Sequence, residues 1–348
     1  MIRVLIVDDS AVLRQSTRFI LESDAGMKVV GEAGNGVEAI TLVERLQPDV
    51  ITMDIRMPKM DGLEAIRTIM AEHPVPIVVV SSLDPDRDAG LTTQATKLGA
   101  VSVMRRPQST AAPDYKTFAT RLIEQVKLMS TIKVVRRKLT RRADLPEGVI
   151  KGPAAAPQSK VKTDILAIGS STGGPAALHQ ILCALPGTLP VPVVIVQHIS
   201  FGFVEGLASW LNDACALKIK VGRAGEKIQA GTVYIAPDDH HMLVDRLGRL
   251  AMSPGELVGG HRPSVTPLFE SVAQSYGPAA MGVILTGMGA DGAIGMRVLH
   301  SAGGITLAQD EASCIVFGMP KEAIALGAVQ QVVPLDRMAQ VIQDLIVV

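Results

Sequence analysis

Short apolar runs alternate along this chain with stretches whose apolar positions recur every three or four residues. Over the first 125 residues the runs are "RVLIVDD", "VVGEAGNG", "PDVITMD", "VPIVVVSS" and "AVSVMRRP", each read as a strand. Between them lie amphipathic stretches such as "SAVLRQSTRFILES", with Ser10 as N-cap, and "YKTFATRLIEQVKLM" closes the series as a last helix. A second series begins near residue 161 with "TDILAIG", "VPVVIVQH", "GVILTG" and "GGITLAQD". "GTVYIAPDDHHMLV" and "RLGRLAMS" read as an antiparallel insertion at one edge. Strands alternating with helices bury both faces of a parallel sheet, so the fold class is α/β. Two doubly wound domains are expected, a five-stranded parallel one and a mainly parallel one with the antiparallel edge insertion.

Between the two series lie Pro146, Gly148, Gly152, Pro153, Ala154–Ala156 and Pro157, which read as a linker. The expected organisation is therefore 1–125, a linker over 126–160, and 161–348. The net charge is zero over 348 residues, yet residues 126–160 carry nine Lys and Arg against two Asp and Glu. "KVVRRKLTRR" (Lys133–Arg142) would suit an acidic partner or nucleic acid, but reads first as a solvated linker. Residues 161–348 are acidic and carry no helix-turn-helix pattern, so no DNA binding is expected. No apolar run is long enough to span a membrane, and no signal-peptide cleavage pattern follows the N-terminus. Cys183, Cys215 and Cys314 form no CxxC and suit a reducing cytoplasm, which is the expected location.

Chemistry is legible at strand ends. Asp8 and Asp9 end the first strand and Asp54 the third, and the carboxyl ends of neighbouring parallel strands converge. Three carboxylates form a hard, oxygen-rich pocket suited to Mg²⁺. Ser81 ends the fourth strand and the cation Arg106 follows the fifth, completing a set suited to phosphoryl chemistry. The stretches "LIVDDSAVLR", "MDIRMPKMDG" and "VVVSS" resemble the response-regulator receiver domain. The resemblance implies a flavodoxin-like fold, Asp54 as the residue phosphorylated by a histidine kinase, and Ser81 and Arg106 as switch residues. It implies Mg²⁺ on Asp8, Asp9, Asp54 and the Arg56 carbonyl. Two positions depart from the receiver pattern: Arg106 stands for the usual Lys, and Val103 for the usual aromatic.

In "ILAIGSSTGGPAALHQIL" a strand turns into a helix through small residues. A helix N-terminus offers unpaired N–H groups to a phosphate or to an oxyanion. A serine nucleophile needs a base and a group to orient it. His198 follows "VPVVIVQ" and Asp291 lies in the turn after "VILTG", so both also sit at strand ends. Against this, "GMGADG" (Gly287–Gly292) has GxGxxG form, with Asp310 18 residues beyond, and spacing alone leaves a dinucleotide site open.

Residues 163–348 resemble the catalytic domain of chemotaxis protein-glutamate methylesterases, the CheB family. "AIGSSTGGPAAL", "VQH", "IAPDDHHM", "RPSV" with "LFESVA", "ILTGMGADGAIGM" and "AQDEASCIVFGMPKEAI" carry the likeness. It implies Ser171 as nucleophile, His198 as base, Asp291 as its orienting carboxylate, and the GxGxxG as a turn carrying Asp291. Ser170 is left without a role. Backbone N–H groups of Thr172 and Met288 are assigned to the oxyanion. The implied substrate is a glutamyl γ-methyl ester, with glutamine as a second, on the cytoplasmic helices of a chemoreceptor. The esterase step needs no cofactor. An unphosphorylated receiver is expected to pack over the esterase site. "ISFGF" (Ile199–Phe203) stands where the family commonly has prolines, and Thr266 where it often has aspartate. A degenerate or rewired family member, or a nucleotide-binding output domain, is the alternative reading.

Overall fold

The structure is a computed structural model and describes residues 1–82, 94–95, 98, 100, 102–107, 109, 111–113, 115–131 and 162–346. The basic linker segment Lys133–Arg142 lies outside the described residues.

The first sheet contains β1 (Ile2–Val7), β2 (Met27–Ala33), β3 (Val50–Met53), β4 (Ile77–Ser81) and β5 (Ser102–Arg105). Helices α1 (Ala11–Glu22), α2 (Gly36–Leu46), α3 (Gly62–Glu72) and α4 (Tyr115–Met129) flank it. The strand order is β2-β1-β3-β4-β5 and every pair is parallel. Val4, Leu5, Ile6 and Val7 in β1 are all buried, as expected of a strand covered on both faces. Ser10 caps α1 by accepting the Leu13 N–H. Helix α4 runs four residues past the boundary read at 125.

The second sheet is built from β6 (Ile165–Ser170), β7 (Val193–Gln197), β8 (Lys218–Val221), β9 (Thr232–Ile235), β12 (Ala280–Ile284), β13 (Ile305–Gln309) and β14 (Gln331–Val333). Its order is β14-β13-β12-β6-β7-β9-β8, parallel throughout. Strands β10 (His241–Val244) and β11 (Leu250–Ser253) pair antiparallel in a sheet of their own. The antiparallel insertion read from the sequence is thus present as a two-stranded sheet of its own, while "GTVYIAP" supplies β9 to the parallel one. A turn at the polar "DDH" separates β9 from β10, and an alternation pattern does not distinguish it from a hairpin. The helices are α5 (Gly174–Ala184), α6 (Val204–Ala214), α7 (Val265–Tyr276), α8 (Ala293–Ser301), α9 (Met319–Ala325) and α10 (Leu335–Leu345).

Cys183 near the end of α5 and Cys215 capping α6 are joined by a disulfide, with Cα atoms 4.3 Å apart. The pairing was not anticipated from the absence of a CxxC motif. Their separation of 32 residues carries no pairing signal, and only the packing of the two helices brings them together.

The β5 edge of the first sheet lies against two loops of the second unit. Phe203, 2% exposed, joins the core of the first unit that includes Ala95 and Ala100, and Ile199 and Val103 pack against the same cluster. Ser200 Oγ donates to the Val103 carbonyl at 3.0 Å. On the other side of the sheet, Val316 packs against the cluster containing Met104 and Phe118.

Candidate functional sites

Each sheet has one point where the strands on either side of a central strand lead away in opposite directions. Such a switch point opens a crevice at the carboxyl ends. In the first sheet β1 lies between β2 and β3, and the crevice holds Asp8, Asp9 and Asp54. One oxygen from each lies within 4.8 Å of the others. Asp8 is buried at 1% exposure and pairs with the buried Arg106, whose Nη1 donates to Oδ2 at 2.6 Å. Arg106 therefore neutralises one carboxylate of the cluster. Burial pushes the Asp54 carboxyl above its ordinary range, and the charge on Asp8 adds to this. A hydrogen bond from Ser81 Oγ to Asp54 Oδ1 acts the other way. Three hard oxygen donors that repel one another form a set that a small divalent cation would relieve. Arg56 lies two residues beyond Asp54 and is exposed.

In the second sheet β6 lies between β7 and β12. Ser171 follows β6, His198 follows β7, and Asp291 lies in the loop between β12 and α8. Ser171 leads into a turn in which Gly173, the N-cap of α5, has φ +80. A side chain there would be strained, and its Cβ would also meet Ile315 at 2.6 Å. His198 Nε2 lies 2.9 Å from Asp291 Oδ2. An ionised carboxylate only accepts, so Nε2 carries the proton and Nδ1 is left with its lone pair. Nδ1 is buried and has no hydrogen-bond partner among the described residues. The imidazole stacks on His261, with ring centroids 3.9 Å apart. Burial, reinforced by the neighbouring His198, lowers the His261 pKa to about 4, so it stands neutral at pH 7.

Asp291 sits at the N-terminus of α7. Its Oδ1 accepts from Ser264 Oγ at 2.7 Å and Thr266 Oγ1 at 2.8 Å, and its Oδ2 from the Val265 N–H at 2.7 Å. Burial alone would raise its pKa, but the bonds from His198, Ser264 and Val265 outweigh it and hold the group well below the usual carboxylate range. The carboxylate is thus fixed in charge and direction. That engagement is also why the GxGxxG segment does not read as a nucleotide cradle. Asp310 is likewise taken up locally, by the Ser313 hydroxyl and N–H. Burial and Asp310 push the Cys314 thiol up to about 12, which leaves it protonated and a poor nucleophile at neutral pH.

The amides of Thr172 and Met288 have no acceptor among the described residues, and Met288 is 40% exposed. His261 and Ser264 had no assigned role in the sequence. Ser264 before an amphipathic helix carries an N-cap signal, but that its hydroxyl would also reach a carboxylate 27 residues away is not local information.

A family model for the CheB methylesterase matches residues 166–342, and one for the response regulator receiver domain matches residues 4–112. The chain is 46% identical over 338 residues to the protein-glutamate methylesterase/protein-glutamine glutaminase 4 of Myxococcus xanthus, covering 97% of this chain and 95% of that one. It is 43% identical over 347 residues to the protein of Nitrosospira multiformis named protein-glutamate methylesterase/protein-glutamine glutaminase, covering 99% and 97%. The crystal structure of the Thermotoga maritima CheB methylesterase catalytic domain matches with a TM-score of 0.51 at 37% identity, covering 53% of this chain and 98% of that one. The chain therefore belongs to the CheB methylesterase family, with a response regulator receiver domain preceding the esterase.

Proposed function

We propose that the protein hydrolyses glutamyl γ-methyl esters, and deamidates glutamine, on the cytoplasmic helices of a chemoreceptor, under control of receiver phosphorylation. The observation that carries the reading is the convergence of Ser171, His198 and Asp291 on one switch point, with the imidazole already oriented by a charged carboxylate. Ser171 Oγ attacks the ester carbonyl while His198 Nδ1 takes its proton. Asp291 holds the Nε2–H tautomer and stabilises the imidazolium. The free amides of Thr172 and Met288 support the assignment of the oxyanion to them. The protonated His198 returns its proton to the departing methanol oxygen. Water, deprotonated by the same nitrogen, then hydrolyses the acyl-enzyme. No residue here requires a metal for this step.

Regulation belongs to residues 1–125, joined through 126–160 to the esterase of 161–348. A histidine kinase would phosphorylate Asp54. Asp8, Asp9, Asp54 and the Arg56 carbonyl would hold Mg²⁺, which when bound supplies positive charge beside the phosphoryl oxygens. Ser81 and Arg106 would answer the new charge as switch residues, the Ser81 hydroxyl by swinging toward the phosphoryl group on Asp54. The β5 edge abuts the loop that leaves His198 and the loop that carries Val316. Movement there shifts the population between covered and open sites. The location that goes with this substrate is the cytoplasm; among the described residues no helix is long and apolar enough to cross a membrane. Methanol release from methylated receptor by Ser171→Ala tests the mechanism. Loss of release is expected, and undiminished release overturns the triad.

A further inference from the structure

Beyond Ser171 and His198 the two strands that carry them separate, one into α5 and the other into the loop toward α6. The last ladder bond between them runs from the His198 N–H to the Ser170 carbonyl at 2.9 Å. Past it, one side chain joins the two segments. Gln197, the last residue of β7, is 2% exposed. Its Nε2 donates to the Ser171 carbonyl at 2.8 Å and to the His198 carbonyl at 2.6 Å. Its Oε1 accepts from Ser170 Oγ at 2.7 Å. Two carbonyls can only accept, so they fix which end of the amide is nitrogen. Ser170, wholly buried, is the register partner of Gln197 across the sheet. The same arrangement accounts for Gly174: a Cβ there would stand 1.9 Å from Gln197 Oε1 and 2.9 Å from Ser170 Cβ.

We infer that Ser170, Gln197 and Gly174 form one positioning unit that sets the distance and angle between nucleophile and base. The Gln197 amide holds the backbone of both catalytic residues where the sheet no longer does, the Ser170 hydroxyl fixes the amide rotamer, and Gly174 leaves the volume the amide fills. None of the three touches substrate. Their effect passes through Ser171 and His198, so the inference rests on the proposed roles of those two residues. Displacing a reacting pair by a fraction of an ångström lowers the rate of the chemical step without changing how substrate binds.

The test uses the full chain with phosphodonor, scored as methanol release per active site titrated with a serine-directed sulfonyl fluoride. Gln197→Glu keeps the volume but turns both donors into an acceptor. Gly174→Ala keeps every hydrogen-bonding group and crowds the amide instead. Both are expected to lower kcat per titrated site about 100-fold with KM held within about twofold. Ser170→Ala removes one bond and is expected to lower kcat about tenfold. The double variant Ser170→Ala/Gln197→Glu should be no worse than Gln197→Glu alone, because the Ser170 hydroxyl acts only by aiming the amide at the two carbonyls, and Gln197→Glu has already removed those two bonds. In Gly174→Ala, which adds no charge, the apparent pKa of the acidic limb of the kcat profile should not move, since the charged groups around the imidazole are unchanged. A kcat per site within about twofold of the parent in both Gln197→Glu and Gly174→Ala overturns the inference. Where Gln197→Glu does not fold, Gly174→Ala and Ser170→Ala decide alone. A Ser171→Ala variant that still releases methanol would instead refute the underlying triad, so the two failures are distinct.

Discussion

Truncating Phe203 to Ala tests the covered arrangement where it is most exposed to measurement. The ring is 2% exposed and its partners lie in the receiver-side core, not in either core of the esterase. A buried Phe hides 150–250 Å², and truncation to Ala removes roughly 100 Å² of that contact. At about 25 cal/mol per Å² the docked state loses about 2.5 kcal/mol. Since 1.4 kcal/mol is a factor of ten, the ratio of covered to open molecules falls roughly 60-fold. A population that rests mostly covered then becomes substantially open without any phosphoryl group. Methanol release by unphosphorylated Phe203→Ala should accordingly rise toward the rate of the phosphorylated parent. The fold-activation by a small-molecule phosphodonor should shrink in proportion, because the ceiling is unchanged. The assay is methanol release from methylated receptor membranes, with and without donor, on the folded full-length protein. A basal rate within about twofold of the parent, with donor activation intact, would show that the Phe203 contact does not hold the receiver in place.

Asp54→Asn should retain the parent basal rate and lose donor activation; activation that persists, measured by the same paired assay, would remove Asp54 from its role. Thr266→Val deletes one of the hydroxyl bonds to Asp291 at nearly constant volume and should lower kcat roughly tenfold, a loss read from kcat with KM unchanged. The lowered pKa of His261 has a defined sign. Because the folded-state value of about 4 lies below the ordinary value of 6.5, the unfolded chain binds the extra proton first. The stability of the esterase unit should therefore fall as pH drops from about 6.5 to about 4, and His261→Gln should flatten that slope in thermal unfolding followed against pH.

Much of the fold was written locally. Period-two and period-three-to-four patterns arise from sterics between near neighbours, so β1, β3, β4, β6, β7, β12 and β13 were legible as buried runs. Ser10 before α1 was legible for the same reason, since an N-cap acts within one turn. The short strands β8 and β14 were not, because four residues or fewer with exposed positions carry too little pattern. Residue type and strand-end position also picked out Asp54, Ser171, His198 and Asp291 as candidates. Yet residue spacing alone left a dinucleotide loop open at Gly287–Gly292, since a GxGxxG turn looks the same whichever way its aspartate points.

What the sequence determined by itself was which residues stand at the ends of strands. Which strands are neighbours was decided by tertiary structure alone, because pairing is a long-range choice that local pattern does not encode. β12 lies beside β6 although more than a hundred residues separate them, and that adjacency is what delivers Asp291 to His198. The bonds of Ser264 and Thr266 to Asp291, the Gln197 bridge, the Cys183–Cys215 link and the seat of Phe203 in the receiver are all contacts of this second kind. Each joins groups that neither periodicity nor spacing relates, and each exists because two separately legible elements were packed against one another.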